Sequence, residues 1–188
     1  EELGASLKNV VNDIYAKDIS RKVSSTMKAK RLRGGYIGNY APYGYLKDPK
    51  NRNHLIIDPE IAPFVVEIFE MRAEGLGITA IARRLNERDV PSPGRLRYER
   101  GILTNNNKAG SGLLWNRHVL TDLLKNVAYI GNLEQGRSTS CLYKGVAFHW
   151  TEKSEWDLAV GTHEPVITCE LWERVQTVNE KKAREAKN

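Results

Sequence analysis

The first 33 residues carry a helical pattern that ends at two glycines. Apolar residues recur at spacings of four, three and four and then continue in a thinner line, which is typical of an amphipathic helix that packs against a partner surface. These residues are Leu3, Leu7, Val10, Ile14, Ile19, Val23 and Met27. Beyond Ile14 nothing breaks the pattern before Gly34-Gly35, so the sequence predicts one long helix over residues 1–33.

The C-terminal half of this helix, residues 17–33, is called the basic segment below. It holds seven basic side chains and one acid, a net charge of +6 that equals the net charge of the whole chain. The basic side chains are Lys17, Arg21, Lys22, Lys28, Lys30, Arg31 and Arg33. A short cationic element on an otherwise neutral body favours binding to a polyanion such as nucleic acid. The alternative is a solvated helix whose lysines serve solubility.

Length and cysteine content exclude several classes of protein. A chain of 188 residues with 40% hydrophobic residues can hold one domain of ordinary size plus an appendage. Cys141 and Cys169 form no CxxC pair, so neither a disulfide scaffold nor a zinc knuckle is indicated, and a cytoplasmic location is expected. No apolar run reaches the length of a membrane span.

The start at Glu1-Glu2-Leu3, inside a helical pattern, leads us to expect a fragment of a longer protein.

The remainder predicts an α+β fold. Residues 34–40 are expected to be a flexible linker, and residues 41–188 a mixed domain with a small hairpin at 43–57. Asp58-Pro59 predicts a helix start, and a further helix is expected from Thr79 to about Arg88.

The second half of the chain predicts one long loop, two helices and a small sheet. Residues 89–114 lack periodicity and are expected to form the loop. A helix capped by Asn116 follows it, then strands at 129–133 and between residues 142 and 150 in a small antiparallel sheet, and a last helix introduced by Thr168.

Two helices give the skeleton of a helix-turn-helix motif. The helix that contains residues 79–88 and the helix after Asn116 both have an apolar inner face, and the second would present polar side chains to the major groove. Its candidate reading residues are Arg117, His118, Thr121 and Lys125. The long connector is a departure from the motif, and the alternative is that Arg117 and Lys125 are merely solvated while His118 caps the helix. At the other end of the chain, the cations beside Gly34-Gly35 suit entry into a narrow minor groove.

No enzymatic motif is present. The chain has no GxxxxGK[ST] loop, GxSxG elbow or HExxH sequence, and its histidines lack metal-ligand spacing. Ser20, Ser24 and Ser25 lie on the cationic helix without a recognisable base. We therefore predict no catalytic residue, no metal site and no cofactor.

Several blocks, taken together and in order, closely resemble the large serine recombinases of phages and mobile elements. The blocks are residues 15–23 (YAKDISRKV), 34–38 (GGYIG), 41–45 (APYGY), 81–86 (IARRLN), Trp115, Val119, 123–126 (LLKN), 129–131 (YIG), 163–165 (HEP) and Trp172. The resemblance covers almost the whole chain and implies the tail of the long catalytic-domain helix followed by the recombinase DNA-binding domain. It implies binding of double-stranded DNA at an attachment or transposon-end half-site, with other recombinase protomers as partners in the full-length protein. The catalytic serine is then expected outside this chain, in a phage or bacterial protein that associates with the nucleoid.

By the same resemblance, residues 21–33 cross the DNA backbone, residues 34–36 enter the minor groove, and the helix after Trp115 with its nearby loop reads the major groove. The candidate DNA-binding residues are Arg21, Lys22, Lys28, Lys30, Arg31, Arg33, Gly34, Gly35, Tyr36, Arg83, Arg84, Arg95, Arg97, Asn116, Arg117, His118, Thr121 and Lys125. Two other hypotheses remain open: a stand-alone helix-turn-helix transcription regulator, and a protein-docking module with a solubilising basic helix. A nuclease or strand transferase in its own right would nick supercoiled plasmid.

Overall fold

The computed structural model describes residues 2–105, 112–141 and 146–185, with the side chains of all of these except 2–7 and 140–141. The helices and strands follow the chain as α1 (Glu2–Leu32), β1 (Tyr45–Lys47), β2 (Leu55–Ile57), α2 (Ala62–Ala73), α3 (Ile78–Glu87), α4 (Pro93–Glu99), α5 (Arg117–Leu124), β3 (Leu133–Gln135), β4 (Ser138–Cys141), β5 (Val146–Trp150), β6 (Asp157–Ala159) and α6 (Cys169–Glu185). The predicted α+β class is confirmed.

The described residues form two compact units. Unit 1 takes its residues from 1–40, 47–55 and 131–163, and unit 2 from 41–46, 56–130 and 164–188. The predicted division into 1–33, 34–40 and 41–188 stays a prediction.

Unit 1 contains the long helix and short antiparallel strand pairs. The predicted helix is confirmed as α1, which packs against β6. Strand β3 pairs with β6, with Leu133 opposite Ala159, and β4 pairs with β5, with Ser138 opposite Trp150. The apolar stripe of α1 is exposed to solvent from Val10 to Met27. Unit 1 therefore has little apolar core of its own.

Unit 2 has a well-formed apolar core. The core residues with no more than 1% of their surface exposed are Val65, Ile68, Phe69, Ile81, Leu85, Leu120, Leu124, Tyr129 and Val175. Helix α2 packs against α6 and α3, and α3 packs against α5. Buried tyrosines satisfy their hydroxyls on backbone carbonyls: Tyr43 donates to Pro91 and Tyr129 donates to Tyr43, both at 2.9 Å. Aromatic packing and paired polar groups together hold this unit.

The predicted hairpin is confirmed as β1 and β2, but the predicted helix start at Asp58-Pro59 is wrong. Helix α2 begins at Ala62, and the carbonyl of Asp58 accepts from the N–H groups of Ile61 and Ala62 in a turn that precedes it. The buried Asp58 carboxylate instead accepts from Arg100 Nη1 at 2.6 Å. A buried carboxylate needs such a partner, and this one fixes Asp58 in the turn.

The prediction that residues 89–114 form one long loop is also wrong. Helix α4 lies within it, and Ser92 caps α4 by accepting from the N–H of Arg95. The helix is only seven residues long, which is too short to show apolar periodicity. Residues 106–111, including part of the predicted asparagine run, lie outside the described residues.

The strand predicted at 129–133 begins later. Residues Val127–Ile130 form a 3-10 turn, and β3 starts at Leu133. Its partner, β6, was not predicted, and among the described residues the strands form separate two-stranded pairs rather than one sheet. Of the strands expected between residues 142 and 150, β5 is present, and residues 142–145 lie outside the description. The last helix is confirmed as α6, where Thr168 Oγ1 accepts from the N–H of Leu171.

Candidate nucleic-acid interface

The basic segment presents cations along the last half of α1. Arg21, Lys22, Lys28, Lys30 and Arg33 are all exposed. Arg21 and Lys28 are seven residues apart and therefore share one face of the helix, two turns apart. Lys22 pairs with Asp18 at 2.7 Å, but both side chains are more than half exposed. An exposed pair of this kind contributes little, so Lys22 is able to exchange its partner for a phosphate.

Arg31 differs from its neighbours. Its Nε lies 2.5 Å from Asp157 Oδ2, and the two side chains are only 20% and 13% exposed. Gly136 has a φ of +79°, and a Cβ there would approach both partners of this ion pair. Arg31 is therefore committed to a contact within unit 1, whereas the sequence suggested a phosphate contact.

Helix α1 ends in a glycine cap. Gly34 donates to the carbonyl of Arg31 and Gly35 to the carbonyl of Lys30, both at 2.9 Å, which is the bond pattern of a Schellman motif. Gly34 has a φ of +76°, and a Cβ there would lie 2.8 Å from Thr162 Cγ2. Glycine is thus required at this position both by backbone geometry and by the close approach of Thr162.

The segment that follows the cap, residues 35–37, is hydrogen-bonded on two sides. The Gln135 side chain donates through Nε2 to the carbonyl of Gly35 and accepts through Oε1 from the N–H of Ile37, both at 2.9 Å. On the other side, Tyr36 donates its N–H to the Asn53 carbonyl at 2.7 Å, and Asn53 Nδ2 donates to the Tyr36 carbonyl at 2.8 Å.

A cavity of about 540 Å³ lies within unit 1 at the end of α1. It is lined by Leu32, Arg33, Gly34, Gly35, Asn51, Asn53, His54, Ala159, Val160, Gly161 and Thr162. Arg33 thus stands at the edge of a concave, largely polar surface.

In unit 2, the predicted helix-turn-helix pair is formed by α3 and α5, and a clamp closes the long connector at its base. Asn86, on α3, donates through Nδ2 to the carbonyl of Trp115 at 3.0 Å and accepts from the Trp115 N–H at 2.9 Å. Trp115 Nε1 also donates to the Val90 carbonyl at 3.0 Å, and Ser92 Oγ donates to the Leu113 carbonyl at 2.9 Å. The inserted segment therefore leaves and rejoins the helix pair at one place.

The outer face of α5 carries the predicted reading residues. Asn116 caps the helix, with Oδ1 3.1 Å from the N–H of Val119. Arg117, His118 and Lys125 are exposed. Thr121 is half-buried and donates its hydroxyl to the Arg117 carbonyl at 2.7 Å, so its oxygen is left as an acceptor.

The remaining candidate arginines of unit 2 differ in their engagement. Arg83 and Arg84 are exposed on α3, and Arg83 lies 3.8 Å from Glu87 in an exposed pair. Arg95 contacts Asp89 at 2.5 Å and Glu99 at 2.7 Å. These hydrogen bonds, first from Asp89 and then from Glu99, raise the pKa of Arg95 above its usual value. Arg95 is thus engaged within the protein, and Arg97 is half-buried on the same helix.

Sequence reasoning missed the residues that shape these surfaces. Gln135, Asn53, Asn86 and Asp157 position backbone or cations through polar contacts between residues distant in the chain. Such contacts have no periodicity, so no sequence pattern marks them. In the described ranges, no group of three or more His, Cys, Asp or Glu side chains is arranged to hold a metal ion, and none of the helices there is long and apolar enough to span a membrane.

Comparison with known proteins identifies the family. A family model described as Recombinase matches residues 59–182. The chain belongs to the Recombinase family, and the predicted resemblance is confirmed. Comparison with curated proteins gives no match.

Two similar solved structures agree with this fold. One, described as "Sequence Requirements of the Listeria innocua prophage attP site", is 19% identical with a TM-score of 0.51 and covers 83% of this chain and 50% of the solved chain. The other, "Crystal Structure of a LSR-DNA Complex", is 19% identical with a TM-score of 0.53 and covers 85% of this chain and 39% of the solved chain. The present chain thus spans half or less of these relatives, and the likeness concerns the fold.

Proposed function

We propose that this chain recognises double-stranded DNA as the attachment-site-binding part of a site-specific serine recombinase. The observation that carries the proposal is the set of exposed cations on the C-terminal half of α1. Cations on a rigid helix can neutralise phosphates and release counterions without sequence preference. The two similar solved structures support the proposal, because the description of one names a prophage attP site and the description of the other names an LSR–DNA complex.

Each unit has its own role in this proposal. In unit 1, the exposed cations of the basic segment contact phosphates and residues 34–36 enter the minor groove. In unit 2, helix α5 enters the major groove, where Arg117 and Thr121 contact base edges. Exposed Arg83 and Arg84, on the helix packed against α5, contact the flanking backbone.

Strand cleavage is assigned to another part of the parent protein. No residue of this chain is assigned as a nucleophile, and the catalytic serine belongs to a domain outside it. Other recombinase protomers are the partners of the full-length protein, which works on DNA in a bacterial or phage-infected cell. Incubation of the chain with supercoiled plasmid should give no nicked product, and nicking that resists further purification would contradict this assignment.

A gel-shift titration across a salt series tests the DNA-binding proposal. If about five phosphates are neutralised, the logarithm of the affinity should fall against the logarithm of salt concentration with a slope of about −4.5. Binding should be tighter to an attachment-site half than to a mixed-sequence duplex. Absence of binding at low salt would overturn the proposal and favour a protein-docking role.

Substitution on α5 tests the reading helix. Arg117→Ala should lower the preference for the attachment half over mixed sequence by about 1–3 kcal/mol, because a base contact is lost. Arg174→Ala, at an exposed position of α6, is the matched control and should leave the preference unchanged. Equal loss of affinity for both duplexes in Arg117→Ala would assign Arg117 to the phosphate backbone instead.

A further inference from the structure

The backbone between α1 and β1 is held by side-chain amides just after the helix ends. Gln135 bonds the Gly35 carbonyl and the Ile37 N–H at the same time, so its amide takes the place of a peptide group in a neighbouring strand. Asn53 occupies the opposite side of Tyr36 with one backbone and one side-chain bond. Four consecutive polar backbone groups, from the Gly35 carbonyl to the Ile37 N–H, are therefore satisfied within unit 1.

The helix end that feeds this segment is fixed as well. The glycine cap bonds back to Lys30 and Arg31, and Arg31 is tied to Asp157 with most of both side chains buried. Asp157 opens β6 and lies opposite Gln135 on β3 in the strand register. The ion pair that holds α1 and the amide that holds residues 35–37 thus belong to one strand pair.

We propose that Gln135, Asn53 and the Arg31–Asp157 pair are positioning residues, which set residues 35–37 in one extended path before DNA is bound. This rests on the proposed function, since residues 34–36 are the minor-groove contact assigned above. Ordering a free backbone segment on binding opposes association, and a segment that is already ordered avoids that loss. In this proposal Arg31 affects DNA binding only by fixing the end of α1 and the path of residues 35–37, and it contributes no phosphate contact.

Gln135→Met tests the hydrogen bonds that hold residues 35–37, because methionine nearly preserves the size of the side chain and makes neither of the two Gln135 bonds. Gln176→Met is the matched control: the Gln176 amide donates to the Leu124 carbonyl at 2.9 Å within unit 2, so its loss removes no hydrogen bond from residues 35–37. Hydrogen exchange on the free chain should show a protected Ile37 amide in the unsubstituted protein and in Gln176→Met, and an unprotected one in Gln135→Met.

DNA affinity is then measured on a mixed-sequence duplex. Gln135→Met should bind about tenfold more weakly, because one residue or more must be ordered on binding, with the same salt slope as the unsubstituted chain. Gln176→Met should bind within about twofold at a temperature where both variants are folded. Loss of Ile37 protection without loss of affinity would overturn the proposal, and so would an unprotected Ile37 amide in the unsubstituted chain.

A comparison of Arg31 with Arg33, two residues further along the chain, tests the role of Arg31 even if the Gln135 variant fails to fold. Arg33→Met removes an exposed cation and should lower the magnitude of the salt slope by about 0.9, whereas Arg31→Met should weaken binding and leave the slope unchanged. A drop in slope for Arg31→Met equal to that for Arg33→Met would show a phosphate contact and overturn the positioning role. Absence of DNA binding by the unsubstituted chain would instead refute the proposed function, while the exchange measurement still shows whether Gln135 protects the Ile37 amide.

Discussion

Each of the two units of this chain is stabilised internally by a different kind of interaction. Unit 2 encloses a dense set of aliphatic and aromatic side chains, whereas unit 1 exposes Phe148 and Trp150 and depends on polar contacts such as Arg31–Asp157 and the Gln135 amide. Burial of apolar surface supplies most of the stability of a unit with a large core. The comparison predicts that apolar truncation destabilises unit 2 far more than unit 1, and that in either unit the cost of losing a polar group depends on how deeply its partner is buried.

The largest effect is expected from matched phenylalanine truncations. Phe69 is fully buried, with ring centroids 5.5 Å from Tyr129 and 5.9 Å from Trp172, while Phe148 is 62% exposed. Phe69→Ala should lower the free energy of unfolding by about 3–5 kcal/mol, because it leaves a cavity. Phe148→Ala should change it by less than about 0.5 kcal/mol. Urea unfolding measures both, and comparable losses would show that unit 1 buries Phe148 in solution.

The next effect concerns a polar clamp that lies inside unit 2. Asn86→Ala leaves the N–H and carbonyl of buried Trp115 without their partner and should lower the free energy of unfolding by about 2–3 kcal/mol. Asn132→Ala is the control, because Asn132 makes an exposed bond to the Gly161 N–H and should lose less than about 1 kcal/mol. A small effect at Asn86 would mean that α3 and α5 hold the connector by apolar packing alone.

The two units also differ in how far the sequence predicted them. Periodicity correctly placed α1, α3 and α6, because apolar spacing directly reflects burial on one helix face. It missed α4, which is short, and β6, which is held by its partner strand. The side-chain amides of Asn86 and Gln135 each bond one carbonyl and one N–H of a backbone segment that is distant in the chain. Such an amide contributes to no apolar pattern, so the clamps became visible only in the folded chain.

In the candidate site, too, the sequence predicted what depends on local composition and missed what depends on contacts formed by folding. Charge counting located the basic segment, and most of its cations are exposed in the structure, since charged side chains stay in water unless paired. Their contact with DNA stays a prediction. It did not separate Arg31 from Arg33 or mark Arg95 as engaged by Asp89 and Glu99, because these pairs depend on where distant or neighbouring carboxylates fold. Their distinction requires the structure.

A smaller effect is expected from neutral substitutions on one face of α1. Arg21→Gln combined with Lys28→Gln should weaken binding to every duplex by about tenfold and lower the magnitude of the salt slope by about 1.8, because two phosphate contacts are lost. Arg174→Gln with Arg184→Gln removes the same charge from exposed positions on α6 and controls for net charge. A gel-shift salt series measures both, and equal slopes for the two double variants would place the DNA contact elsewhere.

The smallest effect comes from a hydroxyl in unit 2. The Tyr45 hydroxyl lies 2.9 and 3.0 Å from the carbonyls of Ala128 and Glu164, so Tyr45→Phe should lower the free energy of unfolding by about 1 kcal/mol at neutral pH. Burial raises the pKa of Tyr45 above its ordinary value of 10.0. At pH values between the ordinary pKa of 10.0 and the higher pKa in the folded state, the folded chain keeps a proton that the unfolded chain releases. The free energy of unfolding therefore falls as the pH rises above about 10.

That loss at alkaline pH should be shallower in Tyr45→Phe, because one of the tyrosines with a raised pKa is gone, and the gap between variant and unsubstituted chain should therefore narrow. Tyr15→Phe, at a position 65% exposed on α1, is the control and should follow the unsubstituted chain at every pH. Urea unfolding at pH 8 to 11 measures the three curves. Parallel curves for all of them would mean that Tyr45 reaches water in the folded chain, which would weaken the contrast between a closed unit 2 and an open unit 1.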